Sequence, residues 1–145
     1  MPTKSDAGVE AYNLVPVSSI LPPNAELVDV EEGTEYLPAG SIVHCVLSRT
    51  ATDTRQRIAS SVGVARRRPE GDEHAQQHGY LIEKHAKDDG IENIGAEAEE
   101  LALELLNDKN PGNDEPPTQN FNITVKTQGE RGVWTTAVAL AVFIG

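Results

Sequence analysis

Two rhythms of apolar residues divide this chain. Over Ala11–Val17, Ser41–Ser48, Ile58–Ala65, Gly79–His85 and Phe121–Thr127, small and β-branched apolar residues form short runs or alternate with polar ones, the pattern of strands. Ala25–Val30 alternates apolar with acidic residues and predicts a further short strand. Gly132–Ile144 is a long β-rich run, although Ala137–Ala141 leaves a helix open there. After Asp88-Asp89-Gly90 the rhythm changes. Ile91, Ile94, Ala98, Leu101, Ala102, Leu105 and Leu106 fall at helical spacing with acidic residues between them, which predicts one amphipathic helix with a charged wet face. Glu31-Glu32-Gly33 and Pro38-Ala39-Gly40 read as turns, and Ala51–Gln56, Pro69–Gln77 and Asn110–Pro117 as loops. Many strands with one clear helix predict an α+β fold of mainly antiparallel sheets, and 145 residues suit a single domain.

Charge narrows the partners. A formal net charge of −11 argues against nucleic acid or an anionic membrane surface and suits a cationic substrate or a high-salt cytoplasm. The single cysteine, Cys45, lies in the apolar run Ile42–Leu47, where a buried inert thiol is expected, and it permits no intrachain disulfide. The N-terminus lacks the apolar core of a signal peptide, and the run Val133–Ile144 is too short to span a bilayer, so a cytoplasmic protein is expected. His44, His74, His78 and His85 make no metal-ligand spacing, and no metal is expected. Arg66-Arg67-Arg68 reads as a solvated strand end.

The stretch Asn13-Leu-Val-Pro-Val-Ser-Ser-Ile-Leu-Pro-Pro23 stands apart. A short apolar strand runs into Ser18-Ser19 and is stopped by Pro22-Pro23, which cannot continue a ladder. The serine pair is therefore expected at a strand end, beside a hydrophobic layer. Asn13, Ser18-Ser19, Ile20-Leu21 and Pro22-Pro23 together resemble the self-cleavage site of the pyruvoyl-dependent arginine decarboxylases. Gly79-Tyr-Leu-Ile-Glu83 is similar to a second strand of that family, one that ends in a glutamate.

The resemblance implies a four-layer αββα sandwich that assembles as a homotrimer with active sites between neighbouring subunits. It implies cleavage between Ser18 and Ser19, giving a β chain of residues 1–18 and an α chain of residues 19–145, with Ser19 converted to the covalent pyruvoyl cofactor. Ile20 follows the cofactor and contacts substrate. Glu83 is the acid that returns a proton to the decarboxylated carbon, and burial in an apolar strand would keep it protonated. Asn13 orients the scissile peptide or stabilises its oxyanion. Trp134 belongs to core or interface.

The expected reaction is L-arginine to agmatine and carbon dioxide, a step of polyamine biosynthesis. Family members carry a further strand and helix ahead of the position of Ala7, with an aspartate that holds the substrate guanidinium; Asp6 is too close to the serine pair to be that residue. A shortened member is therefore expected. Two alternatives follow: a catalytically impaired homologue acting as an assembly or regulatory subunit, or a decarboxylase of another amino acid.

Overall fold

A computed structural model describes residues 8–67, 78–109 and 118–145. Its elements in chain order are β1 (Asn13–Pro16), β2 (Ile20–Leu21), α1 (Val30–Glu35), β3 (Ile42–Thr52), β4 (Arg57–Arg67), β5 (Gly79–Lys87), α2 (Ile94–Lys109), β6 (Thr118–Gln128) and β7 (Thr135–Phe143). They form a three-stranded sheet of order β1-β3-β7 and a four-stranded sheet of order β2-β5-β4-β6. Among the described residues β1–β3 is the one parallel pair, and the remaining ladders are antiparallel. The fold is α+β with antiparallel-dominated sheets, as the periodicity predicts.

Among the described residues, α2 and the two sheets stack as successive layers. Helix α2 lies on the back of the four-stranded sheet, with Ala102 and Leu106 against Ala65 and Tyr80, and Ile91 and Ile94 against Ala59. The front of that sheet packs on the three-stranded sheet through Val46, Val62, Val64, Leu81 and Ala139. Farther along, the space between the sheets turns polar. Thr50 Oγ1 and Ser60 Oγ lie 2.8 Å apart, Ser60 donates to the Ala137 carbonyl, and Ser48 donates to the Lys84 carbonyl at 2.6 Å. Every one of these buried hydroxyls has a partner, so burial costs little. The outer face of the three-stranded sheet is covered by Val9, Tyr12 and Leu37, packed on Val43, Leu140 and Val142.

Several local expectations need correction. Ala25–Val30 is no strand. The chain there is irregular until Asp29 caps α1, its carboxylate accepting from the Glu32 amide at 2.8 Å, and Glu31-Glu32-Gly33 form the helix rather than a turn. Acidic residues in a first turn suit the positive end of the helix dipole. Strand β3 extends through Ala51 and Thr52, both expected in a loop. Helix α2 begins at Ile94, so Ile91 is buried just ahead of it, and Leu101 is exposed rather than packed. Residues 135–143 are strand, which closes the helical option. Arg66 and Arg67 are not solvated: Arg66 Nε donates to Gln119 Oε1 and its guanidinium also reaches the Ala25 carbonyl, while Arg67 is buried and donates to Asn107 Oδ1. The loops at 69–77 and 110–117, His74 and Arg68 lie outside the described residues.

Candidate active site at the crossing between the sheets

Strand β1 exists because Leu14 fits the apolar patch of Val9, Tyr12 and Val43, and because its backbone pairs with the start of β3. The ladder continues one residue past Pro16: the Val17 amide donates to the Cys45 carbonyl at 2.8 Å. Two residues later the chain belongs to the other sheet. The Leu81 amide donates to the Ser19 carbonyl at 2.9 Å, and Ile20 and Leu21 pair with Tyr80 and Gly79. Leu21 can approach because residue 79 is glycine. A Cβ there would stand 2.6 Å from the Ala65 carbonyl oxygen and 3.2 Å from Leu21 Cδ2. Pro22 then ends the strand, as its missing donor requires.

Ser18-Ser19 is thus the point where the chain passes from one sheet to the other. Both flanks are fixed, Val17 to β3 and residue 19 to β5. Between them Ser18 is exposed and Ser19 half-buried, and neither hydroxyl has a hydrogen-bond partner among the described residues. The exposed apolar side chains of Val15, Val17 and Ile20 border the crossing.

Glu83 is brought to this point by register. Leu81, which anchors Ser19, faces the core between the sheets, and Glu83 lies two residues on, on the same face, opposite Val62. Diagonal neighbours of this kind sit about 7–8 Å apart across a ladder, within reach of a glutamate side chain. Burial pushes the Cys45 thiol up, and the negative charge of Glu83 pushes it further. Glu83 is exposed, however, so the expected burial of the acid does not come from its own chain.

Asn13 is not at the crossing. It stands at the far end of β1, its amide donating to the Gly40 carbonyl at 3.0 Å and its backbone N–H to the Ser41 carbonyl. Five residues of extended chain put it roughly 16 Å from Ser18. The groups that fix the crossing, the Cys45 carbonyl and the Leu81 amide, are backbone atoms, which sequence patterns do not announce. Among the described residues no cluster of three metal-ligating side chains occurs, and no helix is long and apolar enough to cross a membrane.

The family model described as pyruvoyl-dependent arginine decarboxylase matches residues 5–145. The chain belongs to the pyruvoyl-dependent arginine decarboxylase family. It is 38% identical over 141 residues to pyruvoyl-dependent arginine decarboxylase 1 of Methanosarcina acetivorans, covering 96% of this chain and 81% of that protein. Its identity to the corresponding protein of Methanosarcina mazei is 39% over 144 residues, with 96% and 81% covered. A probable pyruvoyl-dependent arginine decarboxylase of Chloroherpeton thalassium is 37% identical over 157 residues, with 96% and 84% covered.

The pyruvoyl cofactor of the pyruvoyl-dependent arginine decarboxylases is held covalently, which sets the test for these residues. Such a group is made from the backbone of an internal serine, so it needs no binding cavity. It needs a serine with a free hydroxyl and fixed neighbours on both sides. Ser19 meets both conditions through its unengaged Oγ and the anchors at Cys45 and Leu81. The residues fit the group.

Proposed function

We propose that this chain cleaves itself between Ser18 and Ser19 and then decarboxylates L-arginine to agmatine and carbon dioxide. The observation that carries the reading is the crossing itself: a serine pair fixed on both flanks, in a ladder whose register sets Glu83 two residues beyond Leu81, the partner of Ser19.

In the cleavage, Ser19 Oγ attacks the carbonyl carbon of Ser18, and the acyl group moves from nitrogen to oxygen, turning amide into ester. Loss of the Ser19 Cα proton expels Ser18 as a carboxylate and leaves a dehydrated residue 19. Water then enters and ammonia leaves, giving a ketone at the new N-terminus. The anchors on Val17 and residue 19 keep nucleophile and electrophile together throughout, the entropic part of the acceleration.

When formed, the pyruvoyl carbonyl supplies an electron sink for the decarboxylation. The chain's own residues do the rest. Ile20, exposed next to residue 19, packs against the aliphatic part of the substrate. Glu83 gives a proton to the α-carbon as carbon dioxide leaves, so the proton consumed in making agmatine passes through its carboxyl oxygen. The net charge of −11 favours approach of a cationic amino acid. Asn13 is too far from its own serine pair to act on it, and its role lies at the pair of a neighbouring subunit. A homotrimer with sites between subunits provides that arrangement and also buries Glu83. The cytoplasm is the compartment that fits a biosynthetic enzyme of this kind.

Intact mass and a denaturing gel test the cleavage directly. Two chains meeting at residues 18 and 19, with a carbonyl-reactive N-terminus on the larger, are expected; one uncut chain defeats the proposal. Ser19→Ala should remain uncut. Incubation of cleaved protein with arginine should yield agmatine without any added partner protein.

A further inference from the structure

Ser19 is the centre of a three-residue turn, and that turn bears on the cleavage proposed above. The Ile20 amide donates to the Ser18 carbonyl at 3.0 Å, closing a seven-membered ring around Ser19. Such turns come in two forms, with the central φ at about −75° or about +75°. Among the described non-glycine residues only Asn24 and Asp88 have positive φ, so Ser19 is in the inverse form. There the side chain stands equatorial on the ring. Viewed along N–Cα of Ser19, its Cβ lies nearly opposite the Ser18 carbonyl carbon. No rotation about Cα–Cβ then brings Oγ within the roughly 3–3.5 Å of a near-attack contact.

Attack requires φ of Ser19 to swing toward the fully extended value, which folds Cβ back over the carbonyl carbon. That swing opens the ring and breaks the Ile20 N–H contact. The motion is local, because Val17 stays on Cys45 and the Ser19 carbonyl stays on Leu81, leaving Ser18 as the part that moves.

We propose that the Ser18–Ile20 turn is an autoinhibitory latch: it holds the uncut chain in a conformation that cannot react, and the cleavage rate is set by the fraction of chains in which the latch is open. The donor is free to serve this purpose. Ser19 is bonded to Leu81 and Leu21 stands opposite Gly79, so Ile20 occupies the intervening position, where the alternation of the ladder turns its N–H away from β5.

Ile20→Pro tests the latch. It deletes the N–H and drives the preceding residue toward extended φ, while sparing the ladder. Cleavage is followed by denaturing gel in a time course after cell-free synthesis. The proline variant should cleave roughly two- to tenfold faster than the parent, the weight of one backbone hydrogen bond. A backbone ester at position 20, replacing only the N–H by oxygen, should give the same acceleration and covers the case in which proline disturbs folding. Cleavage of the ester variant at the parental rate or slower overturns the latch, the slower result marking the Ile20 amide as a donor to the oxyanion instead. The underlying reading fails differently: parent and both N–H-deleted variants would all stay uncut.

Discussion

Gly63→Ala should loosen the seat of the helix behind the site. Gly63 lies in the middle of β4, under α2, and a Cβ there would press on the Ala98 carbonyl carbon and the Glu99 amide and stand 2.5 Å from the Ala98 oxygen. Ordinary carbon contacts are about 3.5–4.0 Å, so the helix backbone must retreat by about 1 Å. It is tied where it lies: Glu97 to Lys84 at 2.6 Å, and Glu99 to Asn120 at 2.7 Å and Asn122 at 2.8 Å. Overpacking of this kind costs up to about 3 kcal/mol. The loss of freedom that alanine imposes on the unfolded chain returns about 0.4–1 kcal/mol. The net is a destabilisation of about 2 kcal/mol, equivalent to about 4–8 °C for a chain of this size. Thermal unfolding followed by circular dichroism measures it. Because Tyr80 and Ile82 rest on α2, a retreating helix also shifts β5 and the Leu81 amide that holds Ser19, so cleavage should slow as well. A variant that melts within about 1 °C of the parent would refute the close-approach argument.

Glu83→Gln should leave the chain able to cut itself but lower agmatine production by about a hundredfold or more, the usual worth of a general acid; an undiminished turnover in a steady-state assay removes Glu83 from the mechanism. Leu81→Ala should cost about 2–5 kcal/mol in urea unfolding, since the side chain is fully buried between the sheets against Val46 and Val62. The raised Cys45 thiol predicts a pH effect. The unfolded chain sheds this proton first as pH passes the ordinary value of 9.0, so the stability it confers is intact below that pH and declines above it until the folded thiol ionises. Denaturant unfolding of parent and Cys45→Ala between pH 8 and 10 should therefore diverge only above about pH 9, with the parent showing the steeper loss.

Strands were legible because most are half-buried, and a two-residue period survives wherever one face is wet, as along β5. Helix α1 was not, because Leu27, Val28 and Val30 mimic strand alternation around an acid-rich stretch. The cap at Asp29 and the acidic first turn were the signals that outweighed it. Arg67 was misjudged for a similar reason: three consecutive arginines suggest water, whereas partners distant in sequence, Asn107 for Arg67 and Gln119 for Arg66, draw two of them in. Of the site, the serine pair and Glu83 were readable as side chains. Their juxtaposition depends on the β2–β5 register, which no local pattern carries. Asn13 was readable only through the resemblance, and the extended chain of β1 sets it five residues from Ser18, at the other end of that strand.

The crossing between the sheets gives the proposed cut a thermodynamic consequence. Before it, one covalent thread keeps residues 1–18 at high effective concentration beside β3, and reassembly after unfolding is a first-order event. Afterwards the strand of Asn13–Pro16 belongs to a separate peptide, held without a covalent link by its ladder, by the contacts of Val9, Tyr12 and Leu14, and by hydrogen bonds such as that of Asn13 to the Gly40 carbonyl. Recovery then becomes bimolecular and sensitive to dilution, and the ketone terminus cannot be restored to serine. The mature protein would endure by the slowness of its unfolding, with no route back to the fold its gene encodes.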